Sequence, residues 1–213
     1  MIADAVAGLV RELIFALTRF LVGGHARWRG CGPEPVQRIY FANHASHLDT
    51  IILCAALPVT LRRTTHPVAA ADYWGRNALS RFIALKVLRA VLVERGGSRD
   101  PLAPLRDVLE SGESLIIFPE GTRRNEALPA PFKSGLHHLA RDFPAVQLVP
   151  VYLANLARAY PKGATLPAPI SCVANFGTPI TLAEGEDKQA FLARAHDAVC
   201  VMAEGAASTG VPA

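Results

Sequence analysis

The sequence predicts an α/β fold: a single domain with a central, mostly parallel or mixed sheet flanked by helices, led by an N-terminal amphipathic helix. Two observations carry this. Short apolar runs alternate with helical segments along most of the chain, the order that builds a sheet covered on both faces. One run, Ser114 to Phe118, is apolar without a break after its serine, as a strand buried on both faces requires. A chain of 213 residues, with no internal repeat or linker, suffices for one core.

The elements follow in order. Ile2 to Val22 is largely apolar, but Asp4, Arg11, Glu12 and Arg19 interrupt it. An uncharged run of roughly 18 residues would signal a membrane span; none occurs here, nor does a small-residue cleavage site follow a basic start. At 3.6 residues per turn the charged and small residues gather on one side, with Val6, Leu9, Leu13, Leu17 and Leu21 on the other. Such a helix suits either its own domain or a membrane interface. Cys31 to Pro35 is a Gly/Pro turn. Val36 to Ala42 is a strand, and His47 to Leu57 a helix stopped by Pro58. Pro67 to Ala71 is a short strand, and Asp72 to Lys86 a helix with Asp72 as its cap. Leu88 to Val93 is a strand, Asp100 to Glu110 a helix ended by Gly112, and Ser114 to Phe118 a strand. Ser134 to Phe143 is a helix, Val146 to Leu153 a strand, Ile170 to Phe176 a strand, and Asp187 to Glu204 the last helix. These divide the chain into residues 1–30 (the amphipathic helix), a main domain over 31–205, and a flexible tail over 206–213.

Composition narrows the function. With 51% hydrophobic and 19% charged residues, disorder is excluded, and part of the surface suits contact with lipid. A net charge of +4 and a pI near 9.1 suit anionic partners such as phosphate headgroups or coenzymes. No dense Lys/Arg block with interleaved aromatics occurs, which excludes nucleic acid. Cys31, Cys54, Cys172 and Cys200 are scattered, as free thiols in a reducing compartment are.

Parallel strands deliver functional residues at their C-terminal ends, and three ends are chemically loaded. After the first comes Asn43-His44-Ala45-Ser46-His47-Leu48-Asp49. An Asp five residues beyond the His, at a helix start, can fold back onto the imidazole. It then fixes the tautomer and leaves Nε2 to take a proton. Two other arrangements use the same residues: Ser46 as a helix cap with Asp49 returning to the backbone, or His44, His47 and Asp49 as metal ligands. The second end is Phe118-Pro119-Glu120-Gly121-Thr122-Arg123-Arg124. Gly121 permits close backbone approach to a ligand, Thr122 and backbone N–H groups offer donors, and Arg123 presents a planar fork suited to phosphate. The third is Val149-Pro150-Val151-Tyr152-Leu153, where a proline inside an apolar strand signals an edge or a bulge. Beside a cleft it suits an acyl-chain wall.

Taken in order, Asn43-His44-x4-Asp49, Val93-Glu94-Arg95-Gly96-Gly97, Phe118-Pro119-Glu120-Gly121-Thr122-Arg123, Phe132-Lys133-Ser134-Gly135 and Val149-Pro150-Val151 resemble the glycerophospholipid acyltransferase family, in particular 1-acylglycerol-3-phosphate acyltransferases. The resemblance covers about residues 36 to 155. It implies that His44 is the general base and Asp49 its partner. It implies further that Arg95, Glu120, Gly121, Thr122 and Arg123 serve acceptor binding, with Arg123 on the phosphate, and that Pro150 marks a motif associated with the acyl donor. Two departures stand out. Ala70-Ala71-Asp72 stands where many members carry a Lys, with Arg76 nearby as a substitute, and Val93-Glu94-Arg95 is an abbreviated form of the second motif. Both widen the acceptor to other lysolipids or hydroxylated membrane lipids.

The expectation is an acyltransferase that moves a fatty acyl group from acyl-CoA or acyl carrier protein to a lysophospholipid hydroxyl, without cofactor or metal. Its place would be the cytoplasm, peripherally bound to a membrane surface through the first helix and Arg11, Arg19, Arg27 and Arg29. No Ser or Cys sits in a nucleophile elbow, so transfer would be direct. The other readings are a lipid-binding module without catalysis and a metal-dependent hydrolase using His44, His47 and Asp49.

Overall fold

Apolar side chains on both faces bury the inner strands of the sheet, and helices close over each face. The structure, a computed structural model, describes residues 2–46, 48–75, 77–94, 100–123, 126, 128–160, 168 and 170–208. Among these, the strands are β1 (Gly23–Trp28), β2 (Arg38–Ala42), β3 (Thr65–Ala70), β4 (Val91–Val93), β5 (Ser114–Ile117), β6 (Gln147–Ala154) and β7 (Cys172–Phe176). They form one sheet in the order β1-β7-β6-β2-β5-β3-β4. The five strands from β6 to β4 are mutually parallel. β7 pairs antiparallel with β6, and β1 parallel with β7. The sheet is therefore mostly parallel and mixed, as the sequence predicts.

Along β2 the side chains alternate, as a pleated strand demands. Tyr40 and Ala42 enter one core with Val149, Val151 and Phe176; Ile39 and Phe41 enter the other with Leu115, Ile117 and Leu148. The first core is covered by α1 (Ile2–Val22) and α2 (Asp49–Ala56) through Phe15, Val22, Ile52 and Leu53. The second is covered by α6 (Ala103–Glu110), α7 (Gly135–Asp142) and α9 (Lys188–Ser208) through Leu105, Leu136, Leu139 and Phe191. The short helices α3 (Val59–Arg62), α4 (Ala71–Trp74), α5 (Ala78–Phe82) and α8 (Leu156–Ala159) fill connections.

Three expectations change. The predicted helix over 72–86 is interrupted. α4 ends at Gly75, and α5 restarts where Asn77 Oδ1 accepts from Ser80 N at 2.7 Å, then runs into a π-helical turn, Ile83–Val87. Ala70, not Asp72, is the cap residue of α4. Second, β1 was not legible. Its partner β7 lies far along the chain, and its half-exposed Gly-Gly-His-Ala-Arg-Trp sequence lacks an apolar run. Third, Pro150 sits neither at an edge nor at a bulge. β6 lies inside the sheet, with Phe41 opposite Pro150. The Pro150 carbonyl accepts from Gly177 N at 2.9 Å, so the missing N–H falls on the β7 side, where that ladder ends at Phe176.

The first helix packs in an orientation opposite to that of a buried amphipathic helix. Ala7, Phe15 and Val22 are buried, while Leu9, Leu13 and Phe20 are 73%, 66% and 86% exposed. The polar stripe lies on the side facing the domain, exposed but paired with it. Glu12 pairs with Arg62 at 3.2 Å, Arg19 donates to the Ala55 carbonyl, and Asp4 pairs with Lys86 at 2.9 Å. Among the described residues no helix is long and apolar enough to cross a membrane. Of the expected tail, 206–213, residues 206–208 continue α9 and residues 209–213 lie outside the described residues.

Candidate active site

Two of the three loaded strand ends, those after β2 and β5, meet beside β3 and β4. They border a cavity of about 810 Å³ lined by His44, Phe118, Gly121, Thr122, Arg123 and Lys133, with an apolar interior that includes Leu88, Leu105, Ile117 and Leu136.

His44 is fixed from four sides. Its loop is held because Asn43 extends the sheet with its side chain, taking the Leu153 N–H at 2.7 Å and donating to the Leu153 carbonyl at 3.3 Å. Its backbone N–H donates to Glu120 Oε1 at 2.7 Å. Its ring stacks on Phe118, centroids 4.3 Å apart and 19° from parallel. Its Nδ1 lies 2.7 Å from Asp49 Oδ2. With that nitrogen donating to the carboxylate, Nε2 carries the free lone pair. The imidazole is 20% exposed and the Asp49 side chain fully buried.

Asp49 is the first residue of α2, and no side chain caps that helix. Its carboxylate also accepts from Ala45 N at 2.7 Å and from Ser46 N at 2.9 and 3.0 Å. Each oxygen thereby has an N–H donor, three of them on Oδ2 with the Ser46 N–H shared, which a buried carboxylate needs. Ser46 Oγ accepts from Leu48 N at 3.2 Å and faces the Tyr160 carbonyl at 3.4 Å. Ser46 is therefore not the helix cap, since Leu48 holds that position without a side-chain bond; only the return of the Asp49 carboxylate to the Ser46 N–H survives from that reading, and it coexists with the imidazole contact. His47 lies outside the described residues. Among the described residues no three His, Cys, Asp or Glu side chains are arranged to hold a metal ion.

Glu120 stands behind the cavity wall. It is 4% exposed, and its second oxygen accepts from Ala130 N at 2.8 Å. It thus ties the His44 loop to the segment beyond the Gly121 turn. Burial pushes its carboxyl above the ordinary range, against the opposing pull of the Ala130 and His44 N–H groups. Gly121 has φ +73°, and its N–H donates to the Phe118 carbonyl at 3.0 Å. That N–H is therefore committed to the turn rather than to a ligand. Arg123 reaches into the same cavity with its guanidinium 5.5 Å from the Tyr73 ring centroid. Thr122 lines the cavity as well.

Of the other expected residues, Arg95 and Arg76 lie outside the described residues, and Pro150 lies in the sheet and does not line the cavity. Cys54 and Cys172 are buried, which pushes their thiols up to about 12, unsuited to nucleophilic work. Sequence reasoning gave no role to Phe118, whose stacking needs the fold, or to Lys133, which appeared only as part of a motif. The signal for Lys133 is tertiary: its side chain passes over Gly121.

The family model described as "Acyltransferase" matches residues 31–154. The chain is 26% identical over 176 residues to a 1-acyl-sn-glycerol-3-phosphate acyltransferase from Limnanthes alba, covering 81% of this chain and 60% of that protein. It is also 26% identical over 160 residues to the human 1-acyl-sn-glycerol-3-phosphate acyltransferase alpha, covering 72% and 54%. It thus spans little more than half the length of these relatives. Among solved structures it resembles the 1-acyl-sn-glycerophosphate acyltransferase PlsC from Thermotoga maritima, with TM-score 0.72 at 19% identity over 95% of this chain and 80% of that one. At that identity the likeness is one of fold.

Proposed function

The chain belongs to the acyltransferase family, and from that premise we propose that it transfers a fatty acyl group from a thioester to the free hydroxyl of 1-acylglycerol-3-phosphate. The observation that carries this is the 2.7 Å His44–Asp49 contact at the mouth of a cavity that joins cationic residues to an apolar interior. His44 Nε2 takes the hydroxyl proton as the acceptor oxygen attacks the thioester carbon. Asp49 stabilises the imidazolium as it forms. The carbon–sulfur bond then breaks, and the thiolate leaves with the proton returned by His44. The transfer is direct, without an acyl-enzyme: Ser46 borders the cavity but is buried with its hydroxyl engaged, and the two buried thiols do not line the cavity.

Arg123 holds the acceptor phosphate, and the apolar interior holds an acyl chain. Glu120 acts as a positioning residue, through the His44 backbone. Thr122 remains a candidate donor to the developing oxyanion. Arg95 is assigned to the acceptor on the sequence pattern alone. The outward apolar stripe of α1 supports docking on a bilayer, because leaving Leu9, Leu13 and Phe20 in water forfeits roughly 1.5–3 kcal/mol each. Arg11 lies on the domain-facing stripe beside Glu12, and Arg19 binds the Ala55 carbonyl. Of the four arginines first considered for the surface, the exposed Arg27 and Arg29 are the better placed.

The test is product analysis. Purified protein is incubated with acyl-CoA or acyl carrier protein thioester and a panel of lysolipids, and diacyl product is identified by mass spectrometry. Diacylglycerol phosphate formed from 1-acylglycerol-3-phosphate supports the proposal. Hydrolysis without any acylated acceptor overturns it.

A further inference from the structure

Gly121 and Lys133 share one volume. A Cβ built on Gly121 would lie 2.5 Å from Lys133 Nζ, 2.8 Å from its Cε and 3.1 Å from its Cδ. The lysine side chain therefore lies along the bare face of the glycine, where any other residue would push it away. Its own backbone is pinned there, with N donating to the Pro119 carbonyl at 2.9 Å. Lys133 lines the same cavity as His44 and Arg123. Among the described residues it makes no ion pair, and the nearby Glu120 carboxylate is committed to two backbone N–H groups. An ammonium and a guanidinium that line one cavity, at the polar end of an apolar interior, are a charge arrangement suited to a dianion.

We infer that Lys133, berthed on Gly121, is the second cation of the acceptor site and selects a phosphate monoester over a phosphodiester or a neutral headgroup. This rests on the proposed acyl transfer for its place in catalysis, but not for its binding chemistry. It also assigns Gly121 a role beyond turn geometry: the missing side chain makes room for the lysine. A phosphate monoester carries roughly two charges at neutral pH, and Arg123 and Lys133 both line the cavity that would receive it.

Binding is measured directly, without turnover. Trp74 lines the cavity, so its fluorescence reports titration with glycerol 3-phosphate and with its methyl phosphodiester. The wild type should bind the monoester more tightly. Lys133→Met should weaken monoester binding about tenfold or more and remove most of the preference, while Lys133→Arg retains it to within a few-fold. Gly121→Ala should cause a loss like that of Lys133→Met, and the double variant no further loss, because both act on one ammonium. Should Gly121→Ala fail to fold at φ +73°, the two lysine variants decide the matter. No saturable response in the wild type, or equal affinity in Lys133→Met, overturns the inference. Parallel turnover assays separate the two claims. Product formation unaffected in Lys133→Met removes this inference alone. Lysine-dependent binding without any acyl transfer removes the proposed activity alone.

Discussion

His44 Nδ1 and Asp49 Oδ2 are 2.7 Å apart, and the same carboxylate holds the N–H groups of Ala45 and Ser46. One buried side chain thus shapes the loop that carries the imidazole and orients the imidazole itself. Removing the residue abolishes both tasks at once.

Asp49→Asn keeps the volume and removes the charge that stabilises an imidazolium. It also turns an amide N–H₂ towards donors that need an acceptor. The expected result is a fall in kcat of about 10²–10⁴-fold with a smaller change in KM. Asp49→Ala should in addition destabilise the fold by about 3 kcal/mol, as expected when a buried ionic contact loses one partner. Steady-state kinetics and urea unfolding measure the two effects.

Phe118→Leu tests the ring stack, with centroids 4.3 Å apart. The leucine still fills the site but offers no flat face. Stability should change by less than about 1.5 kcal/mol, while kcat drops about tenfold because the imidazole loses its fixed plane. An unaltered kcat would mean that Asp49 alone suffices for orientation.

Glu120 gives a pH signature. Burial raises its carboxyl above the ordinary 4.5 in the folded protein. The folded state then holds this proton more tightly than the unfolded chain does. Its contribution to stability falls as pH rises from the ordinary value through the raised one, then levels off. Glu120→Gln removes that titration. The unfolding free energy of the wild type minus that of the variant should decline as pH is taken from about 4 upwards. Chemical denaturation at several pH values reads the slope, and a rising difference would contradict the assignment.

The α1 stripe is tested where it carries no internal packing. Leu9, Leu13 and Phe20 are largely exposed, so replacing all three with Glu should leave the melting temperature within a few degrees. Co-sedimentation with phospholipid vesicles should fall at least a hundredfold, from lost apolar burial in the interface. Undiminished sedimentation would assign the stripe to another contact.

The sheet was legible because its inner strands are short apolar runs such as Leu115 to Phe118, whose burial on both faces leaves little else for them to do. The His44-x4-Asp49 spacing was legible because both residues belong to one loop and one helix start, where local geometry decides contact. Residues joined by the fold were not. Phe118 meets His44 across neighbouring strands, Glu120 reaches back to the His44 N–H, and Lys133 crosses Gly121. Pro150 misled because the rule against proline in central strands holds only where a partner needs its N–H. Here the missing donor falls where the antiparallel ladder to β7 ends. The helix pattern of residues 2–22 revealed two faces but not their directions, since packing through Phe15 and ion pairs to the domain reversed the usual choice.

The central claim is that His44 removes the acceptor proton. Its most direct measurement is thiol release from acyl-CoA in the presence of 1-acylglycerol-3-phosphate, comparing wild type with His44→Ala of matched circular dichroism and melting temperature. The expected result is release that depends on both substrates in the wild type and falls at least a thousandfold in the variant. A folded His44→Ala protein releasing thiol and forming product at the wild-type rate would contradict it.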